Sequence, residues 1–247
     1  MRGCWAVGTA GPGSAGATTL AMAAAAAGGG AVIEAGADGG VLAARCALSL
    51  HAGAPGLDSL VAAAASGPVH VLDHTQRSAA EVPVVVAAAT EETIAGALRS
   101  LATCLPGLRT QAEVEVPLFL DVGRVRQNTA AILGPCDGLL LVTGASREAL
   151  ACALVRLPGL FLWTPRIVLA VHGPGPYALA DVRRLVAERI GAAAVPVVAI
   201  PDDPYGAVAL VEGTRRRRPS ALLRAAGQVL DCCAAVDTDG LVSEGAR

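Results

Sequence analysis

Lysine is missing from this chain. All 19 of its cationic side chains in 247 residues are arginines. That absence excludes Schiff-base chemistry on an ε-ammonium and removes the usual lysine of a phosphate-binding loop. Aromatic residues are also scarce, at 2% against a hydrophobic fraction of 53%, so the core has to be built from Ala, Val and Leu. The seven cysteines (Cys4, Cys46, Cys104, Cys136, Cys152, Cys232, Cys233) form no C-x-x-C pair and have no His-x-x-x-His beside them. They read as buried free thiols, not as a metal site or a disulfide framework. Mean hydropathy is +0.55, a value inflated by alanine, and no uninterrupted apolar run reaches the ~18 residues of a membrane span. One arginine and then a glycine loop stand where a secretory signal would carry an apolar stretch, so a cytoplasmic protein is expected. With a net charge of −2 and a pI near 6.1, bulk electrostatics do not support a nucleic-acid partner, though they leave one open.

What is present is an alternation of apolar runs and helical segments. Strands are predicted at 5–7, 31–33, 69–72, 83–87, 114–121, 138–142, 166–171 and 195–200. Between them lie helices over 20–27, 39–48, 57–65, 90–105, 128–134, 146–157, 176–190 and a short one after Pro204. A terminal helix is predicted from Pro219 to about Ala235. Pro106-Gly107 is read as a helix stop. This order predicts a single α/β domain over 1–235, three layers thick, with a mostly parallel sheet covered by helices on both faces. Residues 236–247 are small and acidic and are expected to form a flexible tail.

The chain is organised around Gly8-Thr9-Ala10-Gly11-Pro12-Gly13-Ser14-Ala15-Gly16-Ala17-Thr18-Thr19. Strand, glycine loop, helix is the order that aims backbone N–H groups and a helix N-terminus at a phosphate. Two patterns fit it. Gly11 to Thr18 matches the P-loop G-x-x-x-x-G-K-[ST] except that Ala17 replaces the lysine. Gly11, Gly13 and Gly16 also complete G-x-G-x-x-G, with Glu34 placed as the ribose-binding acid of a dinucleotide site for NAD(P) or FAD. Asp121 favours the first reading. A carboxylate at the end of an apolar strand, followed by x-Gly, holds the Mg²⁺ shell in P-loop NTPases, and a hydroxyl at Thr18 or Thr19 reaches the same ion. Read without a ligand, Asp121 is a strand-end capping carboxylate.

Taken together, Gly11 to Thr19, Val32-Ile33-Glu34-Ala35-Gly36, Pro117 to Asp121, Asp137 to Thr143 and Ile200-Pro201-Asp202-Asp203 resemble, in order, the landmarks of MinD/ParA-like ATPases, including the CpaE/TadZ-like members associated with pilus and secretion machinery. The resemblance implies a P-loop NTPase-like fold, ATP or ADP with Mg²⁺ as ligands, and a nucleotide-sandwich dimer. It also implies a role in positioning chromosomes, plasmids, septa or polar machines through protein partners. The implied nucleotide contacts are Gly11, Gly13, Ser14, Ala15, Gly16, Ala17, Thr18, Thr19, Asp121, Pro201, Asp202 and Asp203, with Thr18 and Asp121 on the metal. Read without the resemblance, Asp202-Asp203 is a Pro-bounded turn.

The departures from the family pattern fall on the chemistry. Pro12 and Ala17 stand where members carry lysines, and Ala35-Gly36 follows Glu34 where a catalytic Asp belongs, unless Asp38 is displaced into that role. Hydrolysis is therefore expected to be weak or absent, and any homodimer independent of nucleotide. An arginine can serve as a phosphate ligand with a planar fork in place of a point charge. Arg124, Arg126 and Arg147 are the nearest by predicted position, Arg124 first. The run Arg215 to Arg218 reads as a solvated charge run or as a contact for DNA, acidic lipid or a partner. A module of the same fold that binds no nucleotide is the remaining alternative, because Pro12 removes a loop N–H.

Overall fold

A computed structural model describes residues 3–11, 16–112, 116–191, 195–213 and 218–244, with side chains in the last helix described as far as residue 236. Eight strands form one sheet: β1 (Cys4–Thr9), β2 (Ala31–Glu34), β3 (Gln76–Arg77), β4 (Pro83–Val85), β5 (Leu118–Arg124), β6 (Gly138–Gly144), β7 (Ile167–His172) and β8 (Val197–Ile200). Their order is β3-β4-β2-β5-β1-β6-β7-β8. Every pairing is parallel except β3 with β4. The predicted α/β architecture, mostly parallel and covered on both faces, is what is observed.

The helices are α1 (Ala17–Gly28), α2 (Leu42–Arg45), α3 (Leu57–Ala64), α4 (Glu91–Ala112), α5 (Ala130–Leu133), α6 (Arg147–Leu160), α7 (Leu179–Ile190), α8 (Pro204–Glu212) and α9 (Ala221–Glu244). One face of the sheet is covered by α1, α2, α8 and α9 around Trp5, Phe119 and Leu140; the other by α3 to α7 around Leu118, Leu120 and Leu139. Central strands bury both sides of their pleat, so β5, β1 and β6 read as continuous apolar runs. Each buried Val, Leu or Ile side chain contributes about 1.5–3 kcal/mol. The low aromatic content is met by alanine: α1 packs Ala21, Ala23 and Ala24 at zero exposure, and the small side chains admit α9 close against it.

Some predicted elements moved. The run 69–72 is not a strand. Val69 and Val71 are both buried, as the alternation required, but no strand lies beside them, and 71–74 closes into a 3₁₀ turn. The chain reaches the sheet only at β3. Pro106 does not stop α4, which continues to Ala112. Leu101, Leu105 and Leu108 lie on one face at helical spacing and are fully buried, and that packing carries the helix through the proline. In the same way α6 passes Pro158 to bury Leu157 and Leu160. The terminal helix runs to Glu244, beyond its expected end near Ala235. Finally, β5 does not end at Asp121 but continues to Arg124.

Candidate nucleotide site

The sheet order separates the two readings of the glycine loop. In a dinucleotide-binding sheet the first two strands are neighbours; here β5 lies between β2 and β1. The chain steps from β1 over β5 to β2, and later from β5 over β1 to β6. Strand order thus reverses about β1, and ligand crevices of open α/β sheets lie at the carboxyl ends of strands at such a point. The loop after β1 opens there. Gly16 closes it with φ 84°, a left-handed conformation that suits glycine, and then caps α1. Pro12, Gly13, Ser14 and Ala15 lie outside the described residues. No side chain caps α1, so its first N–H groups and the positive end of its dipole face this opening.

Directly beside α1, β5 carries an irregularity. Val7 pairs with Asp121, but Gly8 pairs with Gly123, leaving Val122 as an extra residue. Gly123 adopts φ 59° and its N–H donates to Asp121 Oδ1 at 3.1 Å. Gly8 is required on the facing strand: a Cβ there would lie 2.7 Å from the Val122 and Val125 methyls. The kink leaves Asp121 5% exposed at the floor of a cleft of about 400 Å³. Burial pushes its carboxyl above the usual range, and the neighbouring Thr18 hydroxyl and Gly123 N–H favour the charged form against that push. The cleft brings Gly11, Ala17, Thr18, Asp121 and Arg124 together.

Glu34 has a different role from the ribose-binding one. It is 2% exposed. One carboxylate oxygen accepts the N–H groups of Val41 (2.6 Å) and Leu42 (2.7 Å), and the other accepts Ala87 N–H at 3.0 Å. This carboxylate ties the start of α2 and the end of β4 to β2, and has no room for a sugar hydroxyl. The dinucleotide reading fails on both the sheet order and this residue.

Holding α2 in place sets a residue that sequence reasoning missed. Arg45, in the last turn of α2, lines the same cleft, and its charge acts on the buried Asp121 carboxyl. The only signal in the sequence was a short helix after the β2 acid ending in a cation. Arg126 is present in the cleft but makes a forked pair with Asp38, at 2.8 and 3.0 Å. That pair also occupies the acid considered as a displaced catalytic Asp. Arg147 is not in the cleft: it donates to the Tyr177 hydroxyl at 3.1 Å. From the other face of the sheet, Arg156 of α6 donates to the Ala10 carbonyl and, at 2.6 Å, to that of Val125. It thereby joins the start of the glycine loop to the segment after Asp121.

A second, smaller cleft of about 210 Å³ opens on the other side of α1. It joins Gly16 and Thr19 to Pro201, Asp202, Asp203 and His172. Of its two carboxylates, Asp203 is committed to architecture. It accepts from Gly206 N–H at 2.8 Å as the cap of α8 and from Leu222 N–H at 3.1 Å at the start of α9. These bonds hold it below the usual carboxylate range.

The donor set at the first cleft fits a hydrated Mg²⁺ bridging to phosphate. Such an ion takes one or two protein oxygens and leaves the rest to water and phosphate, and Thr18 and Asp121 supply that pair beside an uncapped helix N-terminus. Among the described residues no group of three metal-ligating side chains exists, so a cage made of protein alone is not available.

No family model matches the chain, and no curated protein matches it by sequence. Solved structures do. The chain is similar to the septum site-determining protein MinD of Pyrococcus horikoshii OT3, complexed with Mg-ADP. The TM-score is 0.67 at 16% identity, covering 93% of this chain and 96% of that one. It is also similar to a ParA family ATPase from Chlorobium tepidum TLS, with a TM-score of 0.66 at 17% identity over 91% and 96% of the two chains. MinD in the MinC:MinD complex of Aquifex aeolicus gives 0.63 at 13% identity, over 93% and 96%. The fold is that of the MinD/ParA ATPases.

Proposed function

We propose that this chain is a MinD/ParA-like nucleotide-binding protein of the CpaE/TadZ-like kind, with a degenerate ATPase site. In this reading it acts in the cytoplasm as a positioning or assembly factor. The observation that carries the proposal is the cleft that sets Thr18, at the start of α1, and the buried Asp121 carboxylate together where the strand order reverses. In this reading the phosphates of ATP or ADP lie against the loop from Gly11 to Thr19. Thr18 and Asp121 would hold Mg²⁺, and Pro201, Asp202 and Asp203 would face the nucleoside end. The ion supplies Lewis-acid charge to the phosphates; Thr18 and Asp121 orient it. Ala17 offers no charge to the transferring phosphoryl group, so turnover is slow or absent. Pro12 cannot cross to a second subunit's phosphates, so the protein is a monomer or a dimer that ignores nucleotide. The complexes of the structural neighbours with Mg-ADP and with MinC support a nucleotide ligand and a protein partner here. No helix among the described residues is long and apolar enough to cross a membrane, so association with a pilus, secretion or partition machine would be through protein contacts.

Calorimetry tests this with ATP, ADP, NAD⁺ and NADP⁺, each with Mg²⁺ and with chelator, on wild type and Thr18→Ala. Mononucleotide binding that weakens without Mg²⁺ and on loss of the Thr18 hydroxyl is expected. Binding of no mononucleotide would leave a nucleotide-free interaction module. Light scattering with and without ATP is expected to give the same mass.

A further inference from the structure

The cleft beside α1 holds two arginines that form no ion pair with its carboxylates. Three arginines (Arg45, Arg124, Arg126) and three acids (Glu34, Asp38, Asp121) line it. Each acid is accounted for. Glu34 is satisfied by three backbone N–H groups. Asp38 is paired with Arg126. Asp121 accepts the Gly123 N–H and lies 5% exposed at the cleft floor beside Thr18. Arg45 and Arg124 are left: neither forms an ion pair or side-chain hydrogen bond with any described residue, and both are exposed to the cleft.

We propose that Arg45 and Arg124 together replace the missing loop lysines as ligands for the terminal phosphate of a nucleoside triphosphate. This rests on the nucleotide-binding reading above and names the residues that complete it. The arginines come from two different elements. Arg124 ends β5, just past the kink that sets Asp121, with its backbone paired to Thr9 of β1. Arg45 ends α2, whose first turn is pinned by Glu34 while Leu42 and Ala43 are buried beneath it. Glu34 is thereby a positioning residue for Arg45. The uncapped N-terminus of the twelve-residue helix α1 opens on the same cleft, so its N–H groups and the two guanidinium groups share one space with room for an anion. Guanidinium pairs bidentately with phosphate oxygens, and no lysine exists elsewhere in the chain to do so.

The test is calorimetry with ATP and ADP on wild type, Arg45→Gln, Arg124→Gln, Arg45→Lys and, as a remote control, Arg189→Gln on the exposed face of α7. Each glutamine variant is expected to weaken ATP about tenfold, the low end for a charge-assisted contact at an exposed site, and ADP much less. The ATP preference therefore shrinks. Arg45→Lys is expected to recover part of the loss. Because both side chains are exposed, thermal unfolding of the variants should match wild type. If wild type binds ATP and both glutamine variants bind it equally well, the arginine assignment is wrong while the nucleotide reading stands. An equal loss in Arg189→Gln would reduce the effect to net charge and also overturn the assignment. If wild type binds neither ATP nor ADP, both readings fall together.

Discussion

Glu34 and Asp121 sit opposite each other in register on adjacent strands. Both are buried acids, Glu34 at the carboxyl end of β2 and Asp121 three residues before that of β5, and burial raises both carboxyl groups. Their surroundings differ. Glu34 faces three backbone donors contributed by two later segments, so its charge is absorbed in joining β2, β4 and α2. Asp121 accepts one backbone N–H, that of Gly123, and lines the cleft beside Thr18. A buried carboxylate with a full set of backbone donors is part of the architecture; one with a partial set beside a helix N-terminus is available to a ligand. The same contrast recurs at the second cleft, where Asp203 is held by two helix starts and Asp202 is not.

The largest expected effect is at the first member of this pair. Glu34→Ala leaves the N–H groups of Val41, Leu42 and Ala87 without their acceptor and should cost about 3 kcal/mol in urea unfolding, since each orphaned buried donor costs about 1–3 kcal/mol and cleft water relieves part. A loss below about 1 kcal/mol would break the distinction drawn here. Arg156→Met comes next. It frees the Ala10 and Val125 carbonyls and should cost about 1–2 kcal/mol, with faster amide exchange at Ala10 and Val125 than in wild type. Asp203→Ala should cost about 1 kcal/mol, the usual value of a lost N-cap, and leave Mg²⁺ dependence of nucleotide binding unchanged.

The smallest effect is in pH dependence, and its signs are opposite at Asp121, on the central strand β5, and at Asp203, beyond the edge strand β8. Asp121 is raised in the folded state, so the folded protein binds its proton more tightly than the unfolded chain does. Its contribution to stability is present at low pH and lost as pH rises from the ordinary aspartate value through the raised one. Asp203 is lowered, so its contribution is present above the ordinary value and lost as pH falls through the depressed one. Urea unfolding of wild type, Asp121→Asn and Asp203→Asn between about pH 3 and 7 should show the wild-type-minus-Asn difference changing in opposite directions. Parallel curves would mean that burial does not separate these carboxylates.

The class of fold was legible from the order of apolar runs and helical segments, because strands buried on both faces and helices with one apolar face leave their periods in the sequence. That Thr18, Asp121 and Arg124 are neighbours was legible because the helix that follows β1 starts, and β5 ends, at one edge of a parallel sheet. What the sequence misjudged was local where packing overrides local preference: Pro106 and Pro158 lie inside helices because buried leucines on either side hold them there.

The sequence by itself determined that no lysine could serve the phosphate loop and that a glycine loop joins a strand to a helix. Only the tertiary structure decided what those facts mean. Which of two glycine patterns applies depends on β5 lying between β1 and β2, a pairing between segments more than a hundred residues apart in the chain for β1 and β5. Whether Glu34 binds a ligand or the backbone depends on where Ala87 arrives, 53 residues later. Arg45 belongs to the site because that carboxylate holds its helix over the cleft. Hydrogen-bond donors and charges act through space over a few ångströms, and which residues lie within that reach is set by strand order, not by spacing along the chain.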